Sequence, residues 1–93
     1  MSYKVILSKT AIDDISEFRK VGDKSVLRKI EALLEELKEH PYFGTGKPKP
    51  LGGTRTGQWS RRITAKHRLV YAVRDAELIV LVVAAAGHYD DKG

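Results

Sequence analysis

The sequence predicts one α+β domain, in the order β-α-α-β-β-β, with two N-terminal helices on one face of an antiparallel-dominated sheet. Two early stretches carry apolar residues at helical spacing, and three later stretches are rich in β-branched and aromatic residues. The chain has 93 residues, which suffice for one hydrophobic core and not for two. The stretches are, in chain order, 8–21, 23–40, 58–64, 67–73 and 77–86.

A short strand and a helix are predicted first. Residues 3–7 are rich in Val, Ile and Tyr, which favours a strand. Ser8 or Thr10 then offers an N-cap for the first helix. The helix is expected to end near Gly22, because glycine adopts the left-handed conformation that closes many helices.

The second helix has the clearest pattern in the chain. Asp23 can cap its start, and Pro41 ends it because proline has no backbone N–H to donate. Its charged residues fall on the opposite face from one apolar stripe, so the helix is expected to pack on the sheet. The stripe consists of Val26, Leu27, Ile30, Leu33, Leu34 and Leu37.

A long loop separates the helices from the remaining strands. Residues 41–57 contain all three prolines and five of the eight glycines, so they predict a loop rather than an element. Residues 58–64 and 67–73 then predict an antiparallel hairpin with a tight turn at Ala65 and Lys66. The last predicted strand is almost wholly apolar, as expected for a strand covered on both faces.

The positive charge is concentrated in one segment. The formal net charge is +5, from 17 Lys and Arg against 12 Asp and Glu. Residues 1–42 carry equal numbers of basic and acidic side chains, whereas residues 43–74 carry eight basic side chains and no acidic one. Because arginine binds phosphate bidentately and aromatic rings stack on bases, this segment predicts nucleic-acid binding.

Composition excludes several classes of function. The chain has no cysteine, and His40, His67 and His88 are too scattered for a zinc cluster, so neither a disulfide framework nor a metal site is predicted. The longest apolar run, residues 78–86, is far shorter than the ~20 residues of a membrane span. The N-terminus also lacks the apolar core of a signal peptide. We therefore expect a soluble cytoplasmic protein with no membrane partner.

Strand alternation sorts the side chains of the hairpin onto two faces. Trp59 and Arg61 share one face of its first strand, and Arg62 lies on the other. Arg68 lies on the side of the next strand that carries less apolar bulk. We expect Arg68 to lie on the open face of the sheet together with one other arginine of the hairpin.

The loop before the hairpin adds further cations, since Lys47 and Lys49 come shortly before it. Several positive charges can therefore converge on one surface, an arrangement that suits phosphate. The residues predicted to bind RNA or phosphate are Lys47, Trp59, Arg61, Arg62, Lys66 and His67.

A second candidate group lies near the C-terminus, where Gly87 permits a bend that brings His88 and Tyr89 to one site. A histidine with an ordinary pKa of ~6.5 is a suitable proton donor to a leaving oxygen. Together with Arg68, these groups match cleavage of RNA through its own 2′-hydroxyl, because that reaction needs a base, an acid and cations. No metal or other cofactor is required.

These motifs resemble the YoeB/Txe branch of the RelE-type toxins, the toxin halves of bacterial type II toxin–antitoxin modules. The resemblance is densest over residues 43–89, and the helical half agrees in length and order. It implies a microbial-RNase-like, RelE-like fold for the whole chain. The segments that carry it are Gly46-Lys47-Pro48, Pro50-Leu51, Gly57 to Thr64, His67 to Val73 and His88-Tyr89.

The resemblance also implies roles for individual residues. Arg68 would stabilise the transition-state phosphate, and His88 would be the general acid. Tyr89 would orient the substrate or assist at the scissile phosphate, and Arg62 would contact phosphate or ribosomal RNA. The implied activity is cleavage of mRNA in the ribosomal A site, which inhibits translation.

The implied partners follow from the same family. They are a cognate antitoxin that wraps the toxin and inhibits it, the ribosome with its mRNA, and operator DNA bound through the antitoxin. A homodimer is also compatible with the family.

One position differs from the family pattern. After Gly-Lys-Pro the family usually carries a glutamate that acts as general base, and here that place is Lys49. Lysine is ordinarily a poor base at neutral pH, with a pKa of ~10.4. Three interpretations stay open: Lys49 is the base with its pKa lowered by neighbouring cations, it acts only electrostatically, or the toxin is weakened or inactive.

The third interpretation implies a different class of function, a non-catalytic module that binds the antitoxin or nucleic acid and acts as a co-repressor. A plain nucleic-acid-binding domain would bind RNA or DNA with a steep salt dependence and would not cleave it.

The tail Asp90 to Gly93 extends beyond the usual end of the family at His-Tyr. Its two carboxylates either raise the pKa of His88 or repel RNA, unless the tail is frayed.

Overall fold

A computed structural model of the chain describes residues 2–86. It contains two helices and one five-stranded sheet, in the strand order β1-β5-β4-β3-β2. β1 runs parallel to β5, and the other neighbouring strands are antiparallel. The predicted α+β class and element order are confirmed, with one strand added. The elements are β1 (Lys4–Leu7), α1 (Lys9–Lys20), α2 (Lys24–Leu37), β2 (Lys49–Pro50), β3 (Gln58–Arg62), β4 (Arg68–Arg74) and β5 (Ile79–Ala84).

The added strand lies in the segment 41–57, which the sequence predicted to be a loop throughout. Lys49 pairs with Ser60 and Pro50 pairs with Trp59, so that β2 forms the edge of the sheet beside β3. An edge position suits proline, because its missing N–H is not needed by a further strand. The prediction was wrong here because two residues are too few to show any periodicity.

The ends of both helices are set by the residues that the sequence indicated. The Ser8 hydroxyl accepts a hydrogen bond from the Ala11 N–H at 3.1 Å and caps α1. Gly22 follows α1 with a φ of +74°, the left-handed conformation expected of a C-terminal glycine. Asp23 caps α2 by accepting from the Val26 N–H at 3.2 Å. Over residues 2–86, neither helix has the length and hydrophobicity of a membrane span.

The hydrophobic core lies between the two helices and one face of the sheet, as predicted. Both helices contribute their apolar stripes, and alternate residues of β4 and β5 complete the layer. β5 lies between β1 and β4, and each of its residues is buried or half-buried, which explains its apolar sequence. The buried core residues are Ala11, Ile15, Val26, Ile30, Leu33, Leu37, Ile63, Leu69, Tyr71, Val80, Val82 and Ala85.

Asp75 joins three parts of the chain at the end of β4. Its two carboxylate oxygens accept hydrogen bonds from the hydroxyls of Tyr3 at 2.6 Å and Tyr42 at 2.5 Å. Tyr42 also contacts the edge of the Trp59 ring, with 5.1 Å between centroids. The hydrogen bonds from Tyr3 and Tyr42 lower the pKa of Asp75.

This contact predicts an acid-sensitive contribution to stability. Because Asp75 keeps its charge to a lower pH in the folded chain than in the unfolded chain, its contribution is complete above about pH 4 and is lost as the pH falls through the lowered pKa. We expect Asp75→Asn to lower stability at pH 7 and to flatten the dependence of stability on pH below about 4. Urea unfolding at several pH values measures both effects, and an equally steep acid dependence in the variant would contradict the assignment.

Candidate functional site

The open face of the sheet, opposite the helices, carries a row of four aligned residues. Lys49 pairs with Ser60, Ser60 with Val70, and Val70 with Ala84, so the row crosses β2, β3, β4 and β5. Directly opposite residues on antiparallel strands point to the same side of the sheet. Lys49 therefore lies on this face, and it is exposed, whereas the small and apolar residues Ser60, Val70 and Ala84 beside it are buried.

Two arginines face each other in the next row. Arg62 pairs with Arg68, and the Arg62 N–H donates not to β4 but to the Gly46 carbonyl at 2.8 Å on the other side of β3. The two arginines thus form a pair without mutual backbone hydrogen bonds, in which the Cα atoms lie only about 4.5 Å apart. Like charges in this position are unfavourable by themselves, and an anion bound between them would relieve the repulsion.

Lys49 is diagonal to Arg62 across β2 and β3. Diagonal neighbours on adjacent strands lie about 7–8 Å apart, within reach of long side chains. We refer to Lys49, Arg62 and Arg68 as the cationic face. The prediction that Arg68 shares the open face with one other arginine is confirmed, and that arginine is Arg62. Three positive charges on one face are suited to a phosphate group.

The segment before β2 lies against β3 beside the cationic face. Gly46 has a φ of +86°, and a Cβ atom there would lie 2.9 Å from the Arg62 carbonyl oxygen, so glycine is needed both for the turn and for the close approach. Lys47 follows in the left-handed region with a φ of +50° and is exposed. A non-glycine residue in this conformation is uncommon. Because Gly46 directly precedes Lys47, its contact with β3 sets where the segment with Lys47 and Lys49 begins.

Ser60 lies in the middle of the four-residue row and is fully buried. Its hydroxyl has no hydrogen-bond partner among the groups of residues 2–86. Burial of a hydroxyl is costly unless it has a hydrogen-bond partner. The sequence showed no signal for it, because serine in a strand is ordinarily a solvated residue.

Arg61 was predicted to bind phosphate, and the structure contradicts this prediction. Its side chain is 0% exposed, on the opposite side of β3 from Arg62. Its guanidinium forms an ion pair with Glu36 at 2.9 Å and bonds to backbone carbonyls of the loop after α2. A phosphate could not reach the guanidinium without displacing these groups. The charge of the segment could not show that Arg61 is buried while its neighbour Arg62 is exposed.

Trp59 and His67 also lie on the helix side of the sheet. Trp59 is half-buried against the core, and the His67 ring meets the edge of the Phe18 ring with 5.0 Å between centroids. Neither shares the open face with Arg68. Lys66 is exposed in the turn between β3 and β4, where the Thr64 hydroxyl accepts hydrogen bonds from the backbone of the turn. Of the predicted RNA-binding residues, Lys47, Arg62 and Lys66 remain on or beside the cationic face.

The C-terminal end of β5 lies near Arg68. Ala84 pairs with Val70, two residues from Arg68, and a bulge separates this pair from the rest of the ladder. The Ser8 hydroxyl donates to the Val83 carbonyl at 2.7 Å, and Asp14 accepts from the Ala85 N–H at 2.9 Å. The start of α1 therefore holds the last described residues. The predicted residues His88 and Tyr89, and the predicted frayed tail Asp90 to Gly93, lie outside the described residues.

Metal binding finds no support in the described part of the chain. Among residues 2–86, no three His, Asp or Glu side chains come together in a way that would hold a metal ion. The chemistry available on the cationic face is that of fixed positive charges and amines.

Comparison with known proteins identifies the family. The family model described as YoeB-like toxin of bacterial type II toxin-antitoxin system matches residues 7–89. The chain belongs to this family. It is 43% identical over 86 residues to Toxin YoeB of Escherichia coli (strain K12), and the match spans 92% of this chain and 99% of that relative.

Solved structures agree with the family assignment. The YoeB/ParE toxin from Agrobacterium tumefaciens superposes with a TM-score of 0.86 at 37% identity and covers 92% of this chain and 99% of its own. The YoeB dimer from Staphylococcus aureus gives 0.82 at 33% identity, and the YoeB-YefM complex from the same organism gives 0.80 at 32%. Both cover 96% of this chain and 100% of the other. The predicted YoeB/RelE fold is confirmed, and the chain is a type II toxin of the YoeB family.

Proposed function

We propose that this YoeB-family toxin is an endoribonuclease that cleaves mRNA on the ribosome by metal-independent attack of the RNA 2′-hydroxyl. The observation that carries the proposal is the pairing of Arg62 with Arg68 on the open face, diagonal to Lys49. Two like charges side by side are unfavourable unless an anion lies between them. A phosphodiester is such an anion, and arginine binds its oxygens bidentately.

The reaction needs three contributions from the protein. A base takes the proton of the 2′-hydroxyl, the 2′-oxygen bonds to phosphorus, and the bond from phosphorus to the 5′-oxygen breaks as an acid protonates that oxygen. The products are a 2′,3′-cyclic phosphate and a free 5′-hydroxyl. Arg62 and Arg68 supply the positive charge that the crowded phosphorane needs.

Roles outside the cationic face follow the family resemblance. His88 is proposed as the acid, and Tyr89 as a group that orients the substrate or assists at the scissile phosphate. The described end of β5 runs toward the row of Arg68, which is compatible with these roles. Lys47 and Lys66 are proposed to contact RNA phosphates on either side of the cleavage site, because both are exposed beside the cationic face.

Lys49 is proposed as the base in the place where the family usually carries glutamate. It lies on the cationic face, opposite Ser60 and diagonal to Arg62, and so beside any phosphate bound between the arginines. An amine there can receive the 2′ proton when it is neutral. If Lys49 acted only electrostatically, or if the toxin were inactive, the substitutions of Lys49 described below would give different results.

The partners are proposed from relatives. A YoeB of Staphylococcus aureus has been solved in complex with YefM and also as a dimer. We propose that this chain binds a cognate antitoxin, reaches operator DNA through it, and forms a homodimer on its own. The ribosome is proposed as the partner that presents mRNA, because the exposed cations Lys47, Lys49, Arg62 and Lys66 suit ribosomal RNA.

Substitution of Lys49 tests the activity and the base together. Purified ribosomes carrying an mRNA would be incubated with wild type, Lys49→Arg and Lys49→Glu, and cleavage would be read by primer extension. Wild type is expected to cleave within codons. Lys49→Arg keeps the charge but cannot release its proton, so we expect cleavage to fall about 10²-fold or more. Lys49→Glu restores a carboxylate base and is expected to cleave at lower pH than wild type.

Each other outcome contradicts a stated part of the proposal. Activity of Lys49→Arg near the wild-type level would show that Lys49 supplies charge only. Cleavage by Lys49→Glu alone would show that the native chain lacks its base and serves as a binding module. If none of the three proteins cleaves, but RNA is bound with a steep salt dependence, the proposed nuclease activity is wrong.

A further inference from the structure

We propose that Arg61 is a positioning residue, which holds the loop 40–46 and thereby brings Lys47 and Lys49 to the cationic face. The proposal rests on the proposed function, because it concerns the same site. It also makes a structural claim about the loop that can be measured without RNA.

Both terminal nitrogens of the buried guanidinium donate to Glu36 or to the loop. Its Nη1 donates to the Glu36 carboxylate at 2.9 Å and to the Thr45 carbonyl at 3.3 Å. Its Nη2 donates to the Phe43 carbonyl at 2.9 Å and to the His40 carbonyl. Three successive parts of the loop therefore bind one rigid group that projects from β3.

The remaining N–H joins the guanidinium to the core of the sheet. The Arg61 Nε donates to the Tyr71 hydroxyl at 3.2 Å, and that hydroxyl donates to the Pro41 carbonyl at 2.7 Å. Burial raises the pKa of Tyr71, so its hydroxyl keeps the proton that it donates. An arginine has five N–H groups in a planar fork, and here each has an acceptor. No other side chain could reproduce this set.

Glu36 closes the arrangement from the side of α2. Its carboxylate accepts the Thr45 N–H at 2.9 Å in addition to the Arg61 bond, and these hydrogen bonds lower its pKa. A Cβ atom at Gly44 would lie 2.3 Å from the Glu36 oxygen and 3.2 Å from the Arg61 Nη1. The loop thus passes beside the ion pair with no space for a side chain at Gly44.

The loop leads directly to the cationic face. One residue after Thr45, the Gly46 carbonyl accepts the Arg62 N–H at 2.8 Å. Lys47 then adopts its left-handed turn, and Lys49 pairs with Ser60. A shift in the loop would therefore move both lysines relative to the arginines. Misplacement of a reacting group by about 1 Å can cost a rate on the order of 10²-fold.

Two variants loosen the loop from opposite sides. Arg61→Lys keeps the positive charge but offers one ammonium in place of the planar fork. Gly44→Ala leaves Arg61 intact and places a methyl group against the ion pair, at a residue with a φ of +126°. The matched control is Gly22→Ala, because Gly22 also has a positive φ but has nothing within 4 Å of a Cβ atom and lies far along the chain from the loop.

Hydrogen exchange on the free protein gives the first measurement. We expect both loop variants to lose about tenfold or more of the protection of the Thr45 and Arg62 amides, whose acceptors are Glu36 and Gly46. The Ile63 amide donates to the His67 carbonyl within the hairpin and is the internal reference. Gly22→Ala is expected to leave the ratio of the Arg62 and Ile63 rates unchanged.

The second measurement is cleavage of ribosome-bound mRNA, at a temperature below the unfolding transition of every variant. We expect kcat to fall about 10- to 100-fold in both loop variants with KM within about threefold of wild type, because the arginines still bind phosphate while the lysines are misplaced. Gly22→Ala is expected to keep the wild-type kcat.

The outcomes separate this inference from the proposed function. Unchanged exchange at Thr45 and Arg62 in folded Arg61→Lys and Gly44→Ala would overturn the positioning role, whatever the activity. Lost protection with an unchanged kcat would overturn the link to the lysines. If wild type itself does not cleave, the proposed function fails, and the exchange data alone decide whether Arg61 positions the loop.

Discussion

Arg68→Ala is expected to lower cleavage of ribosome-bound mRNA about 10²- to 10³-fold while the protein stays folded. Arg68 pairs with Arg62 at the place where the phosphate is proposed to bind, so its removal takes away charge that the transition state needs. The fold is expected to persist because the lost side chain is half-exposed and because the repulsion between the two arginines is relieved. Primer extension and thermal unfolding measure the two effects.

Arg74→Ala is the matched control. Arg74 is exposed, lies on β4 and, by strand alternation, faces the same side as Arg68 from six residues further along, about 20 Å away. Arg74→Ala lowers the net charge by the same amount as Arg68→Ala. It therefore tests whether the net charge of the chain explains the loss of cleavage. Equal loss in both variants would contradict a local phosphate site at Arg68, as would full activity in Arg68→Ala.

Arg61→Met is expected to lower the free energy of unfolding by about 3–5 kcal/mol. Methionine fills part of the space but removes the guanidinium that donates to Glu36 and to the Phe43 and Thr45 carbonyls. The neighbouring substitution Arg62→Met is expected to change the free energy by less than about 0.5 kcal/mol, because Arg62 is exposed. Substitutions of two adjacent arginines are therefore expected to have very different effects on the free energy of unfolding.

Urea unfolding followed by tryptophan fluorescence measures the difference, since Trp59 lies on β3 between the core and Tyr42. A domain of this size ordinarily has only about 5–15 kcal/mol of stability, so Arg61→Met should unfold at a clearly lower urea concentration than wild type. Equal stability of the two variants would contradict the structural role of Arg61. Cleavage activity is expected to rank the two variants the other way. Per folded molecule and at low RNA concentration, Arg62→Met should lose more activity than Arg61→Met.

Most of the fold could be predicted from local patterns. Ser8, Gly22 and Asp23 mark helix ends because capping depends on residues a few positions away along the chain. Alternation correctly separated Arg62 from Arg61 because side chains of a strand point to opposite faces. The short strand β2 was missed because Lys49 and Pro50 form it only through their pairing with β3.

The candidate site could be predicted only in part. The acid-free segment indicated where the positive charge lies, and Arg68 was placed on the correct face. The burial of Ser60 had no sequence signal, because burial depends on which strands lie on either side. The role of Arg61 was missed for the same reason, since its acceptors lie 10 to 25 residues away along the chain.

The sequence by itself determined the fold class, the toxin family and the location of the positive charge, because these depend on periodicity, motif spacing and composition. Only the tertiary structure decided which cations are available to a ligand. Residues 43–74 carry eight basic side chains, yet the fold turns Arg61 into the core and pairs Arg62 with Arg68 on the open face. The physical reason is that a buried guanidinium must have its charge and N–H groups satisfied by partners, and those partners come together only when the chain is folded.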